Sequence, residues 1–374
     1  MTLLLVGLGS MGKRRARLAR GIDPAVRIVG VDTAESRRAE ALGLGLIQAA
    51  YPDLAAALAA ERTALGAALV CTAPLAHAGL IGALLDAKLP VFTELNLVAD
   101  GYAENIAKAK ANGLPLFLSS TMLYRRETQY IKDSVAAFGK PVHYIYHIGQ
   151  YLPDWHPWEN YKNFFVGQAR TGGVREILGI DLPWLLDAFG EVESLTVQCD
   201  SISGLGLPYP DCATLLLRHA SGAQGVLAAD VVSPKAVRNF ECFGEGLHLF
   251  WEGNPKALYR FEGGEKRFVD TYTSFEHDSR YSDNIVENAY VDELANFFAV
   301  LQGAEAPRWS FEKDLAAIRI MDAVEAAGRE GSDAADPRPF GRGQPPLHRR
   351  AAHRPVCKPA RCRHPRARKR RIIR

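Results

Sequence analysis

The chain has 374 residues, of which 48% are hydrophobic and 23% charged, a balance that excludes collagen-like and wholly disordered chains and leaves room for two globular domains. The formal net charge of +3 is unevenly distributed, because 14 of the 45 Lys and Arg residues and none of the 42 Asp and Glu residues lie in 338–374. Apolar runs are too short to span a bilayer, the N-terminal one precedes its basic residues, and the six cysteines lack a repeating spacing, so we expect a cytoplasmic protein without membrane contact.

The first 122 residues alternate apolar strands with helix-forming segments. Strands are predicted at 2–7, 26–32, 66–73, 90–94 and 115–121. Each is a nearly continuous apolar run, typical of parallel strands whose two faces are both covered by helices. The pattern predicts an α/β domain with a doubly wound parallel sheet over residues 1–122.

The pattern changes after residue 122. Strand-like segments with short turns, from VHYIYHIGQY to LHLFWEG, are combined with helix-like segments at 172–190, 288–303 and 311–328. This mixture predicts an α+β domain with a mostly antiparallel sheet over residues 123–330. Residues 331–374, rich in Arg and Pro, are predicted to form a basic, disordered tail without function, and a tether for nucleic acid is the alternative.

A glycine-rich turn, GLGSMG, follows the first predicted strand and opens the first predicted helix. Gly7 permits a tight turn, Gly9 lets the backbone approach a pyrophosphate, and Gly12 lets the helix pack closely on the strand. The helix N-terminus would then face the phosphates. We therefore predict a Rossmann-type dinucleotide site. The residues of this turn that we predict to contact the dinucleotide are Gly7, Gly9, Ser10, Met11 and Gly12.

An aspartate, Asp32, ends the second predicted strand, 20 residues beyond Gly12. A carboxylate at this position accepts hydrogen bonds from the ribose hydroxyls of adenosine and repels a 2′-phosphate, which predicts NAD in preference to NADP. Arg37 and Arg38 follow about one helical turn later and can weaken the preference for NAD over NADP. The alternative is a glycine-rich turn followed by a helix-capping aspartate.

Two further segments lie where parallel strands end, at the sheet edge where doubly wound proteins bind ligands. In CTAPLAH, Thr72 and Pro74 follow one strand and His77 opens a helix, and in PVFTE the next strand ends at Glu94. We predict that all four contact the coenzyme, Glu94 at its nicotinamide half. The alternatives are a helix-start role for His77 and a carboxylate paired with a helix N-terminus for Glu94.

An aromatic segment, YLPDWHPWENYKNFF (151–165), is the first candidate for substrate contact. Flat aromatic faces with polar groups between them suit a sugar ring, whose C–H face stacks and whose hydroxyls require hydrogen bonds. Its candidate residues are Trp155, His156, Trp158, Tyr161 and Lys162. The alternative is a structural loop packed on the sheet.

The predicted helix 172–190 is the second candidate. It carries Arg175, Glu176 and Asp181, which can reach a substrate if the N-terminal half of the helix faces the coenzyme. Solvated helix charges are the alternative. Tyr124, in the segment LSSTMLYR after the last strand of the first domain, is also assigned to the substrate site.

Together these motifs resemble those of the glucose–fructose oxidoreductase/inositol dehydrogenase (Gfo/Idh/MocA) family. The resemblance covers about residues 1–330 and rests on GLGSMG, on CTAPLAH, on the strand end at Glu94 and on the GG…FG helix. It implies a Rossmann domain followed by an α+β domain whose open-faced antiparallel sheet covers the nicotinamide. Members of the family mostly oxidise or reduce sugars, inositols and related polyols with NAD or NADP.

The strand-end motif departs from the family pattern. Glu94 matches the glutamate of the family's Glu-Lys-Pro signature, whereas Leu95 and Asn96 stand where lysine and proline are usual. That lysine is usually credited with proton transfer, and the family's catalytic histidine is replaced by Asp181. Because a general acid or base typically contributes about 10²–10⁴-fold to the rate, a replacement is required. We assign this role to Asp181, His156 and Lys162.

We therefore expect an NAD(P)-dependent oxidoreductase that transfers a hydride to or from a sugar or sugar derivative, without a metal ion. The Glu-Leu-Asn variant resembles a subgroup of bacterial sugar-modifying oxidoreductases linked to surface polysaccharides. The alternative is a family member that binds NAD(H) without turnover, as a sensor or regulator. Sheets of this family often pair, which implies a homo-oligomer.

Overall fold

The computed structural model describes residues 1–155, 157, 159–275, 285–330 and 334–336. A parallel six-stranded sheet occupies the first part of the chain, in the order β3-β2-β1-β4-β5-β6. Its strands are β1 (Thr2–Val6), β2 (Arg27–Val31), β3 (Ala49–Tyr51), β4 (Leu65–Val70), β5 (Val91–Thr93) and β6 (Leu116–Leu118). Its helices are α1 (Ser10–Ile22), α2 (Glu35–Gly43), α3 (Leu54–Glu61), α4 (His77–Asp86) and α5 (Tyr102–Asn112).

The central strands of this sheet are buried on both faces. All five residues of β1 are buried, as are the last four of β2 and of β4, which accounts for their continuous apolar runs. Strand order reverses between β1 and β4, and the crevice outside the carboxyl ends of strands at such a reversal is the usual ligand site of doubly wound proteins. The reversal brings the glycine turn after β1 next to the segments that follow β4 and β5.

A nine-stranded sheet follows in the order β14-β13-β12-β11-β7-β10-β9-β8-β15. Its strands are β7 (His143–Gly149), β8 (Val192–Asp200), β9 (Cys212–His219), β10 (Gln224–Asp230), β11 (Val237–Gly244), β12 (Leu247–Trp251), β13 (Leu258–Glu262), β14 (Glu265–Phe268) and β15 (Ala334–Asp336). Neighbouring strands are antiparallel except for β7 and β10. The helices of this part are α6 (Arg126–Phe138), α7 (Gly173–Phe189), α8 (Glu287–Leu301) and α9 (Phe311–Glu330).

One face of the second sheet is packed and the other is open. Residues of β9 alternate strictly between buried and more exposed positions, the pattern of a sheet that is covered on one side. Helix α7 packs between α6 and α9 and against β10. On the open face, four apolar side chains are 39–53% exposed: Ile145, Leu216, Phe261 and Phe268.

The predicted fold class is confirmed: a doubly wound parallel sheet is followed by a mostly antiparallel sheet with one open face. Strand β3 was not predicted, because it has three residues and all are only partly buried. Helix α6 was missed because few of its residues are buried and two of those, Glu127 and Thr128, are polar. Residues 1–340 form one compact unit, so the boundary at 122/123 stays a prediction.

Within the described residues, no helix is both long and apolar enough to cross a bilayer. Most of the predicted basic tail, residues 331–374, lies outside the described residues, and the predictions of its disorder and of its lack of function stay predictions.

Candidate coenzyme and substrate site

The glycine turn between β1 and α1 requires glycine for two different reasons. Gly7 has φ of +95°, and a Cβ there would lie 2.5 Å from the carbonyl oxygen of Cys71. A Cβ on Gly12 would lie 1.9 Å from the carbonyl oxygen of Gly7, so α1 can approach β1 only without a side chain. Both positions keep the first turn of α1 pressed against the ends of β1 and β4.

Gly9 differs from these two glycines, because a Cβ added to it meets no protein atom within 4 Å. It is the N-cap of α1, and no side chain caps this helix end. The first turn of α1, which begins at Ser10 and Met11, contains no acidic residue. This helix start, whose first backbone N–H groups have no partner within the helix, therefore lies beside open space at Gly9, which fits a phosphate-bearing ligand.

Asp32 lies at the end of β2, beside this turn, and only 8% of it is exposed. Its Oδ2 accepts the backbone N–H of Leu8 at 2.9 Å, and its Oδ1 accepts that of Ala34 at 2.8 Å. Arg37 Nη1 lies 3.8 Å from Oδ2, and Arg38 donates to the Asp32 carbonyl instead of the carboxylate. The carboxylate is thus fixed at the rim of the glycine turn, and each oxygen keeps capacity for a further donor.

His77 is buried in a hydrogen-bonded cluster at the end of β4. Its Nε2 lies 2.9 Å from the carbonyl oxygen of Thr72, and its Nδ1 lies 2.7 Å from Asn96 Oδ1. Thr93 Oγ1 is 3.3 Å from the same Nδ1. Burial lowers the pKa of His77, against the opposing effect of its hydrogen bonds. This placement favours the helix-start alternative for the imidazole itself, while Thr72 and Pro74 form the loop that it fixes.

Asn96 and Thr93 are the residues of this cluster that the sequence did not single out as site residues. Asn96 stands where the resembled family has proline, and it is 6% exposed. A proline could not provide the side-chain amide that contacts His77. The signal was therefore present in the substitution itself, which exchanges a side chain without polar atoms for an amide.

Glu94 ends β5 and is held by an arginine from α1. Its Oε1 accepts a hydrogen bond from Arg15 Nε at 2.6 Å, and its side chain is 13% exposed. The paired carboxylate expected as the alternative is therefore present, with Arg15 as its partner in place of a helix N-terminus. The residual exposure leaves part of Glu94 open at the coenzyme edge.

A second buried glutamate, Glu293 of α8, shares Arg15 with Glu94. Arg15 Nη2 donates to Glu293 Oε2 at 2.6 Å, and Glu293 also accepts from the N–H of Ser120 at 2.6 Å and from the hydroxyls of Ser119 and Thr121. Burial raises the pKa of Glu293, and the Arg15 guanidinium opposes that shift. Sequence reasoning missed this cluster, although a glutamate inside the apolar segment NAYVDELANFF was a visible sign.

Leu95, which stands where the resembled family has lysine, packs against α7. A Cβ on Gly179 of α7 would lie 3.4 Å from Leu95 Cδ1 and 2.9 Å from Leu97 Cδ2. Arg175, one turn earlier, donates from Nε to the Leu97 carbonyl at 2.6 Å. The segment after Glu94 is therefore fastened along the N-terminal half of α7.

Asp181 belongs to α7 and is completely buried on the side of the helix that faces the second sheet. It accepts from the Tyr146 hydroxyl at 2.6 Å and from Trp184 Nε1 at 3.1 Å, and it pairs with Arg238 Nη2 at 3.1 Å. These donors satisfy both carboxylate oxygens. Such a placement favours a role in positioning α7 over β7 and β11, so the assignment of Asp181 to proton transfer stays a prediction without support from its contacts.

Two predicted substrate residues are occupied by internal contacts. Arg175 is 7% exposed and forms ion pairs with Asp322 at 2.5 Å and Glu325 at 3.0 Å, both on α9. Tyr124 is 2% exposed, and its hydroxyl donates to Asn296 at 2.8 Å. These contacts argue against a substrate contact for either side chain.

The aromatic segment is anchored mainly through backbone carbonyls. Trp155 Nε1 donates to the Gln150 carbonyl at 3.3 Å, and the Tyr161 hydroxyl donates to the Leu205 carbonyl at 3.0 Å. Lys162 is exposed, with its Nζ 5.9 Å from the Tyr161 ring centre. His156 and Trp158 lie outside the described residues, so their predicted roles stay predictions.

Glu176, in the first turn of α7, has an unusual environment for a carboxyl group. Its side chain is partly exposed, but Oε2 is fully buried and has no hydrogen-bond partner among the described residues. Burial raises the pKa of Glu176 to about 8. Burial raises the pKa of the nearby Tyr209 hydroxyl, and the negative charge of Glu176 raises the pKa of Tyr209 further. Glu176 therefore combines a raised pKa with a buried carboxyl oxygen that has no hydrogen-bond partner among the described residues.

Among the described residues, no cluster of three or more His, Cys, Asp or Glu side chains is arranged to hold a metal ion. No family model matches the sequence, and no curated protein matches it.

Solved structures match the fold over most of the chain. An oxidoreductase from Agrobacterium radiobacter in complex with NAD+, L-tartaric acid and magnesium matches with a TM-score of 0.73 at 15% identity, over 90% of this chain and 98% of that one. A probable dehydrogenase from Thermotoga maritima matches with a TM-score of 0.70 at 22% identity, over 89% and 98%. The WlbA dehydrogenase from Chromobacterium violaceum, in complex with NADH and UDP-GlcNAcA, matches with a TM-score of 0.71 at 15% identity, over 90% and 96%. At these identities the likeness establishes the fold.

Proposed function

We propose that the protein is an NAD(P)-dependent oxidoreductase that transfers a hydride to or from a sugar or sugar derivative. The observation that carries this proposal is the open space at Gly9, at the uncapped start of α1, between two glycines that admit no side chain. A dinucleotide pyrophosphate requires such a cradle. The similarity to dehydrogenases crystallised with NAD+ or NADH supports the same ligand.

The residues proposed to hold the coenzyme are those at the edge of the first sheet. The turn from Gly7 to Gly12 would hold the pyrophosphate, Asp32 the adenosine ribose, and Glu94 the nicotinamide half, next to the loop fixed by His77. When bound, a nicotinamide coenzyme supplies the hydride donor or acceptor. The carboxylate of Asp32 favours NAD over NADP, because a 2′-phosphate would add a second negative charge beside it.

The substrate class is proposed from the aromatic segment and from the solved structures. Trp155 and Tyr161 supply flat faces for a sugar ring. Two of the structural matches, the WlbA dehydrogenase with UDP-GlcNAcA and a UDP-N-acetylglucosamine 3-dehydrogenase from Acidithiobacillus ferrooxidans, act on or bind sugar nucleotides. We therefore propose an activated or acetamido sugar as substrate, of the kind used for bacterial surface polysaccharides, in a cytoplasmic enzyme.

A second candidate function is NAD(H) binding without turnover, as a sensor or regulator. Leu95 favours it, because an apolar side chain that packs on α7 stands where the family's lysine is usual. The two candidates differ in one property, the presence of a group that can move a proton near the substrate.

The test combines binding with turnover. Fluorescence titration with NADH and NADPH should give saturable binding of NADH, tighter than that of NADPH. Incubation with NAD+ and a panel that contains UDP-N-acetylglucosamine, its uronic acid and inositol should then yield NADH. Binding with no NADH from any member of the panel would favour the second candidate, and no binding of either coenzyme would refute both.

We also propose that the open face of the second sheet forms a homo-oligomer interface. Four large apolar side chains on it are more than a third exposed, and burial of such a patch against a second copy would remove it from water. Light scattering after size-exclusion chromatography should give a multiple of 41.0 kDa. A Leu216→Lys variant should shift the mass towards the monomer, and an unchanged mass would contradict this interface.

A further inference from the structure

The absence of the family's lysine at Leu95 raises the question of which group moves the proton. That group must lie close to the proposed nicotinamide position, next to the segment after Glu94, because hydride and proton leave neighbouring atoms of one CH–OH group. Helix α7 is fastened to this segment by two contacts, from Arg175 to the Leu97 carbonyl and from Gly179 to Leu95 and Leu97.

Glu176 lies between these two contacts. It follows Arg175 directly and precedes Gly179 by three residues, a spacing that places Glu176 and Gly179 on neighbouring positions of one helix face. Glu176 and Ile180 are also the partly exposed positions in this part of a helix that is otherwise buried. The carboxyl group therefore belongs to the part of α7 that carries the contacts to Leu95 and Leu97.

The chain that follows the aromatic segment is joined to the start of α7 through Tyr209. The Tyr209 hydroxyl accepts the backbone N–H of Gly173 at 2.9 Å and donates to the Val166 carbonyl at 2.5 Å, so it joins the start of α7 to the chain that follows the aromatic segment. Tyr209 is also the group whose ionisation Glu176 affects. Glu176 thus stands between the proposed coenzyme edge and the proposed sugar-binding segment.

The other ionisable candidates within the described part of the chain are less suited to proton transfer. Asp181 is fully buried and paired with Arg238, and Lys162 is exposed to solvent. His77 is enclosed by Thr72, Thr93 and Asn96. Glu176 has a buried oxygen without a donor and a side chain that is still accessible.

We propose that Glu176 is the catalytic residue that exchanges the substrate's hydroxyl proton. This inference rests on the proposed oxidoreductase function. In oxidation, the carbinol carbon gives a hydride to the oxidised nicotinamide coenzyme, and the hydroxyl oxygen gives its proton to the Glu176 carboxylate, which leaves a carbonyl group. In reduction, the Glu176 carboxylic acid returns the proton to the carbonyl oxygen as the hydride arrives at carbon.

The charge state of Glu176 makes the two directions depend on pH in opposite ways. Its pKa of about 8 arises from burial, with no charged neighbour as a resolved cause. The groups beside it are Tyr209 from the neighbouring loop and Arg175 on its own helix, which is paired with α9. Oxidation should therefore become faster as pH rises through about 8, and reduction should become slower.

The first test uses Glu176→Gln with NAD+ and UDP-N-acetylglucosamine as the probe. We expect NADH affinity to stay within twofold of wild type and kcat/KM to fall by about 10²-fold or more, with loss of the pH dependence near 8. Asp187→Asn is the matched control, since it removes a carboxylate from the far end of the same helix, where it pairs with Lys132. Its kcat/KM should stay within a few-fold of wild type. Wild-type turnover that Glu176→Gln leaves unchanged would overturn the proposal.

The second test needs neither coenzyme nor substrate. A folded-state pKa of about 8, above the ordinary value of 4.5, means that the folded protein holds this proton more tightly than the unfolded chain. Its stabilising contribution is complete below pH 4.5 and is lost as pH rises to about 8. The melting temperature of the wild type should therefore fall between pH 5 and pH 8 by more than that of Glu176→Gln, and equal falls would contradict the shifted carboxyl.

The two tests separate this inference from the function on which it rests. NADH binding without wild-type turnover of any sugar in the panel would remove the oxidoreductase function and the catalytic role with it. Turnover by the wild type, together with an unchanged rate and pH profile in Glu176→Gln, would remove the role of Glu176 alone.

Discussion

The proposed coenzyme edge and the proposed substrate side of this protein are built in different ways. At the proposed coenzyme edge, the glycine turn and Asp32 belong to one β1–α1–β2 unit, and the Asp32 carboxylate accepts the N–H of Leu8, 24 positions away. The packing of Gly7 against Cys71 of the neighbouring strand end is the longer-range contact of this turn. On the substrate side, Asp181 depends on Tyr146 and Arg238, which are 35 and 57 positions away in the chain. The first region is specified by local sequence and the second by tertiary packing.

This difference explains why one region fits a recognisable motif while the other does not. A pyrophosphate is bound by backbone N–H groups, so few side chains are fixed beyond the glycines that shape the turn. Substrate recognition and proton transfer use side chains. Such a side chain can be replaced by another residue type if the residues that contact it accommodate the new side chain. Leu95, which packs against Gly179, and Asn96, which contacts His77, stand where the resembled family has lysine and proline.

The largest expected effect lies on the substrate side. Arg238→Leu would leave the buried Asp181 carboxylate without its cation, and the loss of one partner of a buried ion pair costs about 3–5 kcal/mol. Urea denaturation should show this loss of unfolding free energy. Arg218→Leu is the control, because Arg218 and its partner Glu193 are both mostly exposed. Equal stabilities of the two variants would show that the substrate side does not depend on this pair.

The second expected effect concerns the glycine turn. Gly12→Ala forces a methyl group into contact with the Gly7 carbonyl oxygen and should lower the unfolding free energy by about 1–3 kcal/mol, as measured by thermal or urea denaturation. Gly9→Ala meets no protein atom, so its stability should match that of wild type within about 0.5 kcal/mol. Its NADH affinity should nevertheless fall. Similar stability losses in both variants would contradict the distinct roles given to the two glycines.

A third prediction sharpens the coenzyme preference. Asp32→Ala removes the carboxylate at the ribose position and should weaken NADH binding by about tenfold, or roughly 1.4 kcal/mol, while NADPH affinity stays constant or rises. Competitive fluorescence titration of both coenzymes measures the ratio. An unchanged ratio in a folded variant would count against the placement of the adenosine ribose at Asp32.

The smallest expected effect concerns the Asn96 contact. Asn96→Ala removes the hydrogen bond to His77 and should reduce the unfolding free energy by about 1 kcal/mol. The pKa of His77, followed by NMR of the imidazole, should fall further below its ordinary value, because Asn96 opposes the effect of burial. An increase in that pKa would show that Asn96 does not support the protonated ring.

Much of the fold could be predicted because periodicity and turn chemistry are local. The order of strands and helices in the first sheet followed from apolar runs, and strand-like segments joined by short turns indicated the mostly antiparallel second sheet. The Arg15–Glu94–Glu293 cluster could not be predicted, because it joins α1, β5 and α8 over 278 positions of the chain. The environment of Glu176 could not be predicted either, because the residues that bury it are not related to it by a regular spacing in the sequence.

The central claim is that the turn around Gly9 holds a dinucleotide coenzyme. Isothermal titration of NADH into the wild type and into Gly9→Val tests it most directly, because the variant adds bulk at a position where a Cβ meets no protein atom within 4 Å. We predict one binding site per chain in the wild type and at least tenfold weaker binding in a Gly9→Val variant of equal thermal stability. No binding to the wild type, or equal affinity in the two proteins, would contradict the claim.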